Sequence, residues 1–264
     1  MASSGTRLRQ AWSDSWPALA LALAIVLAWE LGARAAGNPN FPPLSRVFLA
    51  LANNGPEIAM EIGHTLRRAA IAFSLAVLSM VPLGILIGRV RWLGDYAEPL
   101  IDLLRPLPPP AVVPVVMLFA GTGDGAKVFV MAYAAAFPIL IHAIDGVRGL
   151  HPMVGTVSRA CRLTRAERMW LVDLPAALPV MATGIRLAVA ATLLVSVIAE
   201  MLLSTDGIGI YILRSQEHFR IADGFAGILA LAAVGWFVNA AVQWLDRRLL
   251  AWHYATTGAA SEAA

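Results

Sequence analysis

The stretch Ser158-Arg-Ala-Cys-Arg-Leu-Thr-Arg-Ala-Glu-Arg-Met-Trp-Leu-Val-Asp-Leu-Pro175 is basic and amphipathic. It is followed by twenty-eight residues, Ala176 to Leu203, whose only charges are Arg186 and Glu200. A helix crosses a bilayer with about 20 mainly apolar residues, so the second stretch is long enough to span. The first is too polar. Its Leu163, Ala166 and Trp170 share one helical face, and arginines cover much of the rest. That pattern reads as a helix lying along the membrane. Pro175 lacks a backbone N–H and is expected to end this helix before the span begins. The same residues also suit a basic loop that only anchors topology.

Working outward, five more apolar segments appear: Trp16 to Ala36, Ala69 to Ile87, Leu100 to Ala120, Val128 to Val147 and Ile221 to Leu245. The expected fold is therefore an all-α integral membrane protein with six transmembrane helices. Composition agrees, since 59% of the 264 residues are hydrophobic and 14% are charged, against roughly 45–50% apolar for soluble chains. Phe41 to Met60 is mixed, with Val47, Phe48 and Leu51 on one face, and suits a short interfacial helix. The expected organisation is a first span within 1–36, an outer loop with that helix over 37–68, a five-helix core over 69–250, and a small polar tail over 251–264. Arg7 and Arg9 ahead of the first apolar run, with Ala33-Arg-Ala35 after it, also resemble a signal peptide. Arg34 and Glu30 make a poor cleavage region, so an uncleaved span is preferred.

Basic residues mark the inner loops of membrane proteins. The compact loop between the fourth and fifth segments holds Arg148, Arg159, Arg162, Arg165 and Arg168, which puts both termini in the cytoplasm. Lys127 is the only lysine, and it lies in Gly121-Thr-Gly-Asp-Gly-Ala-Lys127-Val, which lacks the Gly-Lys-Ser/Thr ending of a phosphate-binding loop. The glycines read instead as a tight turn, and no ATP hydrolysis is expected of this chain. One cysteine and five scattered histidines offer no disulfide and no zinc pattern. Paired acids, metal clusters and nucleophile–base sets are likewise missing, so an enzyme is not expected.

Arg105 and Arg186 fall within apolar segments. Such a charge costs several kcal/mol unless it meets a cavity or a partner. Each is a candidate for a substrate pathway that would suit a small anion, or for pairing with Asp102, Asp145 or Asp173. Arg105-Pro-Leu-Pro-Pro-Pro110, with Pro114 beyond, implies a kinked helix in which Pro109 lines the pathway or serves packing alone. Glu200, near the outer end of its segment, reads as an interfacial carboxylate or a gate. Gly84, Gly88, Ala132 to Ala136 and Ala188 to Ala191 would let helices approach closely.

The opening stretch resembles the cytoplasmic loop of ABC importer permeases, a pattern of Glu-Ala-Ala, three residues, Gly, nine residues and Ile-x-Leu-Pro. Leu174-Pro175 matches its end, and Ala176 to Arg186 is similar to the Leu-Pro-x-x-x-Pro…Gly-x-Arg run of the nitrate, sulfonate and taurine branch. Pro43-x-x-Arg46-Val-Phe, Thr65-Leu66, Pro82-Leu-Gly84, Arg105-Pro-Leu-Pro-Pro, Phe137-Pro138, Ala199-Glu200-Met201, Gly207-Ile-Gly209 and Arg247-Arg-Leu-Leu-x-Trp252 also resemble that branch, in order. The pattern's Glu and Gly are absent, with Ser158 and Thr164 near their places, and Thr164 lies two residues closer to Pro175 than the pattern has it.

The resemblance implies a type I ABC importer (MetI-like) core with a cytoplasmic coupling helix, in the inner membrane of a bacterium. Ser158, Ala160, Leu163, Thr164, Arg165, Trp170, Leu174 and Pro175 would form the loop that engages a separate ATPase, with Leu163 and Trp170 as anchors. It further implies two ATP-binding subunits that hold the ATP and magnesium, a second permease copy, an extracytoplasmic binding protein, surrounding lipid and no nucleic acid. No cofactor would reside in this chain. The solute would be a small anion such as nitrate, a sulfonate or taurine, with aromatic carboxylates and thiamine-precursor-like compounds open. An ion-coupled secondary transporter is the alternative, but it would favour midspan carboxylates, and these spans have almost none.

Overall fold

The computed structural model describes residues 4–252, and these form helices joined by turns. The side chains of residues 4–15, 18, 19, 165 and 166 lie outside the described set, as does the expected polar tail beyond Trp252. In order come α1 (Ser4–Ala36), α2 (Leu44–Asn53), α3 (Gly55–Arg89), α4 (Arg91–Leu104), α5 (Pro109–Ala120), α6 (Asp124–Arg148) and α7 (Pro152–Ala160). Then follow α8 (Arg165–Arg168), a π turn (Met169–Asp173), α9 (Leu174–Leu203), α10 (Ile208–Glu217) and α11 (Ile221–Leu249). Among the described residues four helices are long and apolar enough to cross a membrane: α3, α6, α9 with its π turn, and α11. The pair α4 and α5 counts as a fifth if it forms one broken span. α1 lies over the first expected segment.

The chain divides into two compact units. One holds residues through Ala59 together with Tyr211–Ala230. In it, Trp29 stacks on Phe41 and meets Phe225 edge-on, and its Nε1 donates to the Pro42 carbonyl at 3.1 Å. The interfacial helix expected after Phe41 is α2, which buries Val47 and Ala50 and exposes Phe48. The Glu30 carboxylate accepts from the Ser45 N–H at 3.0 Å, which satisfies a donor in the first turn of α2.

The other unit, Met60–Ile210 with the chain from Leu231 on, contains the closest helix packing. α6 and α9 run against each other, and small residues permit it. A Cβ on Gly184 would stand 2.6 Å from the Pro138 carbonyl, and one on Gly84 would stand 2.5 Å from Ala143 Cβ. The expected role of Gly84 and Gly88 in close approach is borne out, because both abut α6 at Ala143 to Val147.

Four expectations about the elements change. α3 starts at Gly55 rather than Ala69, so the division at 68 falls inside a helix. The polar residues Glu61, Thr65 and Arg68 are spaced i, i+4, i+7 and continue the face that buries Ala72 and Ala76, so the helix extends through them. The third segment is not one kinked helix. α4 and α5 meet at 95° across Arg105 to Pro108, where Pro106 and Pro108 cannot donate and each restricts the residue before it. The opening stretch is two helices rather than one. α7 stops at Ala160, and Leu163 sits in a turn instead of sharing a helical face with Trp170. Nor does Pro175 end a helix: the chain is helical from Arg165 through Leu203, and the π turn just before Pro175 lets Leu174 N–H bond to the Met169 carbonyl five residues back. The wider turn accommodates a ring that would clash in a regular helix.

Candidate functional site

Three polar features interrupt the apolar second unit. The first gathers the stripe on α3 with α6, α9 and the segment entering α10. Arg68 is buried, and its Nε donates to Asp124 Oδ1 at 2.9 Å, while its Nη1 donates to Glu200 Oε1 and the Asp206 carbonyl, each at 3.2 Å. Its Nη2 donates to Asp206 Oδ1. Lys127 joins Asp124 at 3.1 Å. Glu200 is completely buried; its Oε2 accepts from Thr65 Oγ1 at 2.8 Å and from the Gly209 N–H at 3.1 Å. The Gly207 N–H donates to Glu61 and the Ile208 N–H donates to Thr65 Oγ1 at 3.0 Å. Gly207 has φ +109°, and a Cβ there would lie 2.4 Å from the Glu200 carboxyl carbon; only glycine fits. Burial acts to raise the pKa of Asp206, but hydrogen bonds from Arg68 and Ser204 and the charges of Arg68 and Lys127 outweigh it and hold the carboxyl below its ordinary range.

Glu200 is therefore not an interfacial carboxylate but the buried centre of an ion network. Of the other charges in this network, Arg68 falls at the end of the outer loop expected over 37–68, and Asp124 and Lys127 fall in the glycine-rich stretch that reads as a tight turn. The signal that could have found Arg68 is the i, i+4, i+7 spacing of Glu61, Thr65 and Arg68 on the face of α3 that turns apolar one step later.

The second feature is the foot built by α7, α8 and the π turn. α7 ends in a left-handed Arg162, φ +54°. Leu163 N–H bonds to the Ser158 carbonyl at 3.1 Å and Arg162 N–H to the Arg159 carbonyl at 3.0 Å, the paired bonds of a Schellman end that usually takes glycine. Thr164 then opens the next helix. Its Oγ1 accepts from the Glu167 N–H at 3.2 Å, and its own N–H donates to Glu167 Oε2 at 2.8 Å, a capping box written in the sequence as Thr-x-x-Glu. The Thr164 hydroxyl, which also donates to Glu167 Oε2 at 2.7 Å, and then the Thr164 N–H hold the Glu167 carboxyl below its usual range. Ser158 is buried with its hydroxyl on the Val154 carbonyl, Ala160 is exposed, and Leu163, Leu174 and Pro175 are half-buried. Trp170 is 68% exposed beside an equally exposed Leu171. Arg165 begins α8, and its side chain lies outside the described residues. Below the foot, buried Asp173 accepts from Arg89 and lies 3.4 Å from Arg168.

The third feature is a cavity of about 380 Å³ near the middle of α6 and α9, lined by Arg105, Leu107, Pro109, Tyr133, Phe137 and His142 among others. Pro138, also in its wall, cannot donate to the Ala134 carbonyl four residues back. Tyr133 Oη donates to the Leu104 carbonyl at the break between α4 and α5. Arg105 is half-exposed, with Asp102 at 3.9 Å. Of the four pathway candidates the structure brings together Arg105 and Pro109. Arg186 is absent from the cavity lining and pairs with Asp246 at 3.6 Å, an acid not among its expected partners, while Glu200 belongs to the network at the far end of α9.

A family profile for the binding-protein-dependent transport system inner membrane component matches residues 80–251. The chain belongs to this family. The permease is 28% identical to the taurine transport system permease protein TauC of Escherichia coli over 241 residues, 88% of each chain. It is 33% identical to the bicarbonate transport system permease protein CmpB of Synechococcus elongatus over 187 residues, 70% of this chain and 67% of that one. A crystal structure of an amino acid ABC transporter with histidines shares the fold, with a TM-score of 0.58 at 17% identity over 76% of this chain and 96% of that one. This chain is thus a multi-pass inner-membrane permease subunit of an ABC importer, a transport component whose family works with a binding protein and an ATPase. The matched range includes the foot, the cavity and Glu200; Arg68 lies before it.

Proposed function

We propose that this permease carries a small anion of the sulfonate, nitrate or bicarbonate kind, and that the cavity at Arg105 is a station on its path. One observation carries the reading: a half-exposed guanidinium stands at the depth of mid-α6 and mid-α9, with Tyr133, Phe137, His142 and Leu187 around it. A cation at that depth is costly unless it faces water or a partner, and a freed helix carbonyl in the same wall has the same requirement. A hydrated path satisfies both. Relatives named for bicarbonate, an anion, and for taurine, which carries a sulfonate, support a solute with an anionic group.

In this reading the foot points to the cytoplasm, both termini lie inside, and two permeases form one pore above two ATP-binding subunits that supply ATP and magnesium. An outer binding protein delivers the solute. Ser158, Ala160, Leu163, Thr164, Arg165, Leu174 and Pro175 shape the foot, and Trp170 inserts into the motor as an aromatic anchor. Nucleotide-driven closure then moves the foot as a rigid body through the Asp173 contacts, and α3 and α9 rock with it. The anion meets Arg105 as a neutralising charge, which Asp102 moderates so that binding does not become a trap.

The test is uptake by the complete assembly in vesicles. Arg105→Gln should reduce anion uptake about tenfold or more, the scale of one lost charge contact, with the permease and ATPase still co-purifying. Full uptake by Arg105→Gln at matched protein levels would remove the cavity from the path.

A further inference from the structure

A second cavity, of about 370 Å³, opens where the foot meets the end of α3. Its wall carries Arg89, Arg159, Arg168, His151 and a single acid, Asp173. Three guanidiniums against one carboxylate leave a surplus of about two positive charges. Arg89 and Arg168 divide Asp173 between them. Arg159 is placed differently: it is exposed, and its Nη2 donates to the Thr156 hydroxyl at 3.2 Å, with no acid within ion-pair distance among the described residues. Arg168 is held over α7 because residue 155 is glycine; a Cβ there would stand 3.2 Å from the guanidinium. The cavity is therefore built, with side chains from α3, α7, α8 and the π turn aimed into one space.

We infer that this cavity binds a phosphate group carrying about two negative charges. Charge complementarity is the argument. A phosphate monoester near neutral pH carries about −1.5 to −2 and presents three acceptor oxygens, which matches the surplus of two and the fork geometry of arginine. The first-turn donors of α7 are already used, Met153 N–H by His151 Nδ1 and Val154 N–H by the His151 carbonyl, so side chains provide the recognition. Arg89 is the last residue of α3, so the site lies at the edge of the apolar region. Both an anionic lipid headgroup and a free phosphate can reach such a place. Bound there, the phosphate joins α7 to α3 and stiffens the foot. The inference makes no use of the transported solute.

The experiment uses the full-length chain, with Arg159→Gln as the main variant because its side chain is exposed and holds no structural ion pair. In one arm, wild type and variant are taken from phosphatidylcholine vesicles doped with phosphatidic acid, and native mass spectrometry counts the phosphatidic acid retained. In the other, delipidated protein is titrated with inorganic phosphate against chloride at equal ionic strength, and the unfolding temperature is followed. A lipid source predicts retention by wild type that falls about fivefold in Arg159→Gln, the effect of one arginine near an anionic surface, and is recovered in part by Arg159→Lys. A free-phosphate source predicts a saturable rise in unfolding temperature that weakens by the same factor. Either result supports the site. Equal behaviour of wild type and Arg159→Gln in both arms overturns it.

Discussion

Arg68 and Glu200 each lose nearly all contact with solvent, and each survives burial only through the other and the groups around them. A buried charge stripped of its partner costs about 3–5 kcal/mol. Arg68→Ala would strip buried Glu200 of its guanidinium and leave it the Thr65 hydroxyl and the Gly209 N–H, so the variant should unfold in detergent at much lower temperature, with a loss of that order; an unchanged midpoint would mean the network is not closed. Arg162 shows strain at the same scale. A non-glycine residue at φ +54° costs about 1 kcal/mol or more, so Arg162→Gly should stabilise the purified permease by about 1 kcal/mol, read as a raised unfolding midpoint. Asp206 gives a pH signature. Its folded pKa is depressed, so its contribution is complete above the unfolded value of about 3.9 and disappears as pH falls through the lower folded value. The gap in unfolding temperature between wild type and Asp206→Ala should be steady from neutral pH to about pH 4 and close below it.

At the scale of elements, the foot keeps its turn while the residue at the turn changes. Counted back from Pro175, the glycine of the family pattern falls on Arg162, the position whose backbone is left-handed. Thr164 is a helix cap two residues on, and a π turn carries the chain past Pro175. Trp170 on that turn is exposed and packs little against its own chain. Trp170→Asp should therefore leave folding intact while uptake falls and ATP hydrolysis in the assembly no longer depends on solute; coupled uptake at the wild-type rate would take Trp170 out of the anchor role. The sequence makes the long spans legible because about 20 apolar residues in a row have few other homes. It also marks the foot, because arginines beside Leu163 and Trp170 suit an interface. The break at Arg105 was legible as a kink but not in angle, since prolines remove donors without fixing the path that follows. Arg68 was hidden for a different reason: a loop-based charge count assumes charges stay in water, whereas partners from α6, α9 and the residue 204–209 turn provide its setting.

Across the second unit, polar features stand at the depths a bilayer demands. From Arg68 to Arg89 along α3 is about 31 Å at 1.5 Å per residue, close to the roughly 30 Å of a hydrocarbon core. The twenty residues from Ala69 to Gly88 between them carry no charge. The Arg68 network closes one end, the Asp173 contacts brace the other, and the Arg105 cavity lies between. The claim at stake is that this middle cavity is wet. Thiol labelling tests it in membranes that hold the full assembly, in a Cys161→Ser background, with cysteine placed by Leu107→Cys in the cavity wall or by Leu78→Cys on the exposed side of α3. A membrane-impermeant anionic reagent should label the cavity position at a rate that changes with nucleotide and slows with transported anion, while the α3 position stays unreactive. A cavity position as inert as the one on α3, in every nucleotide state, would contradict the account.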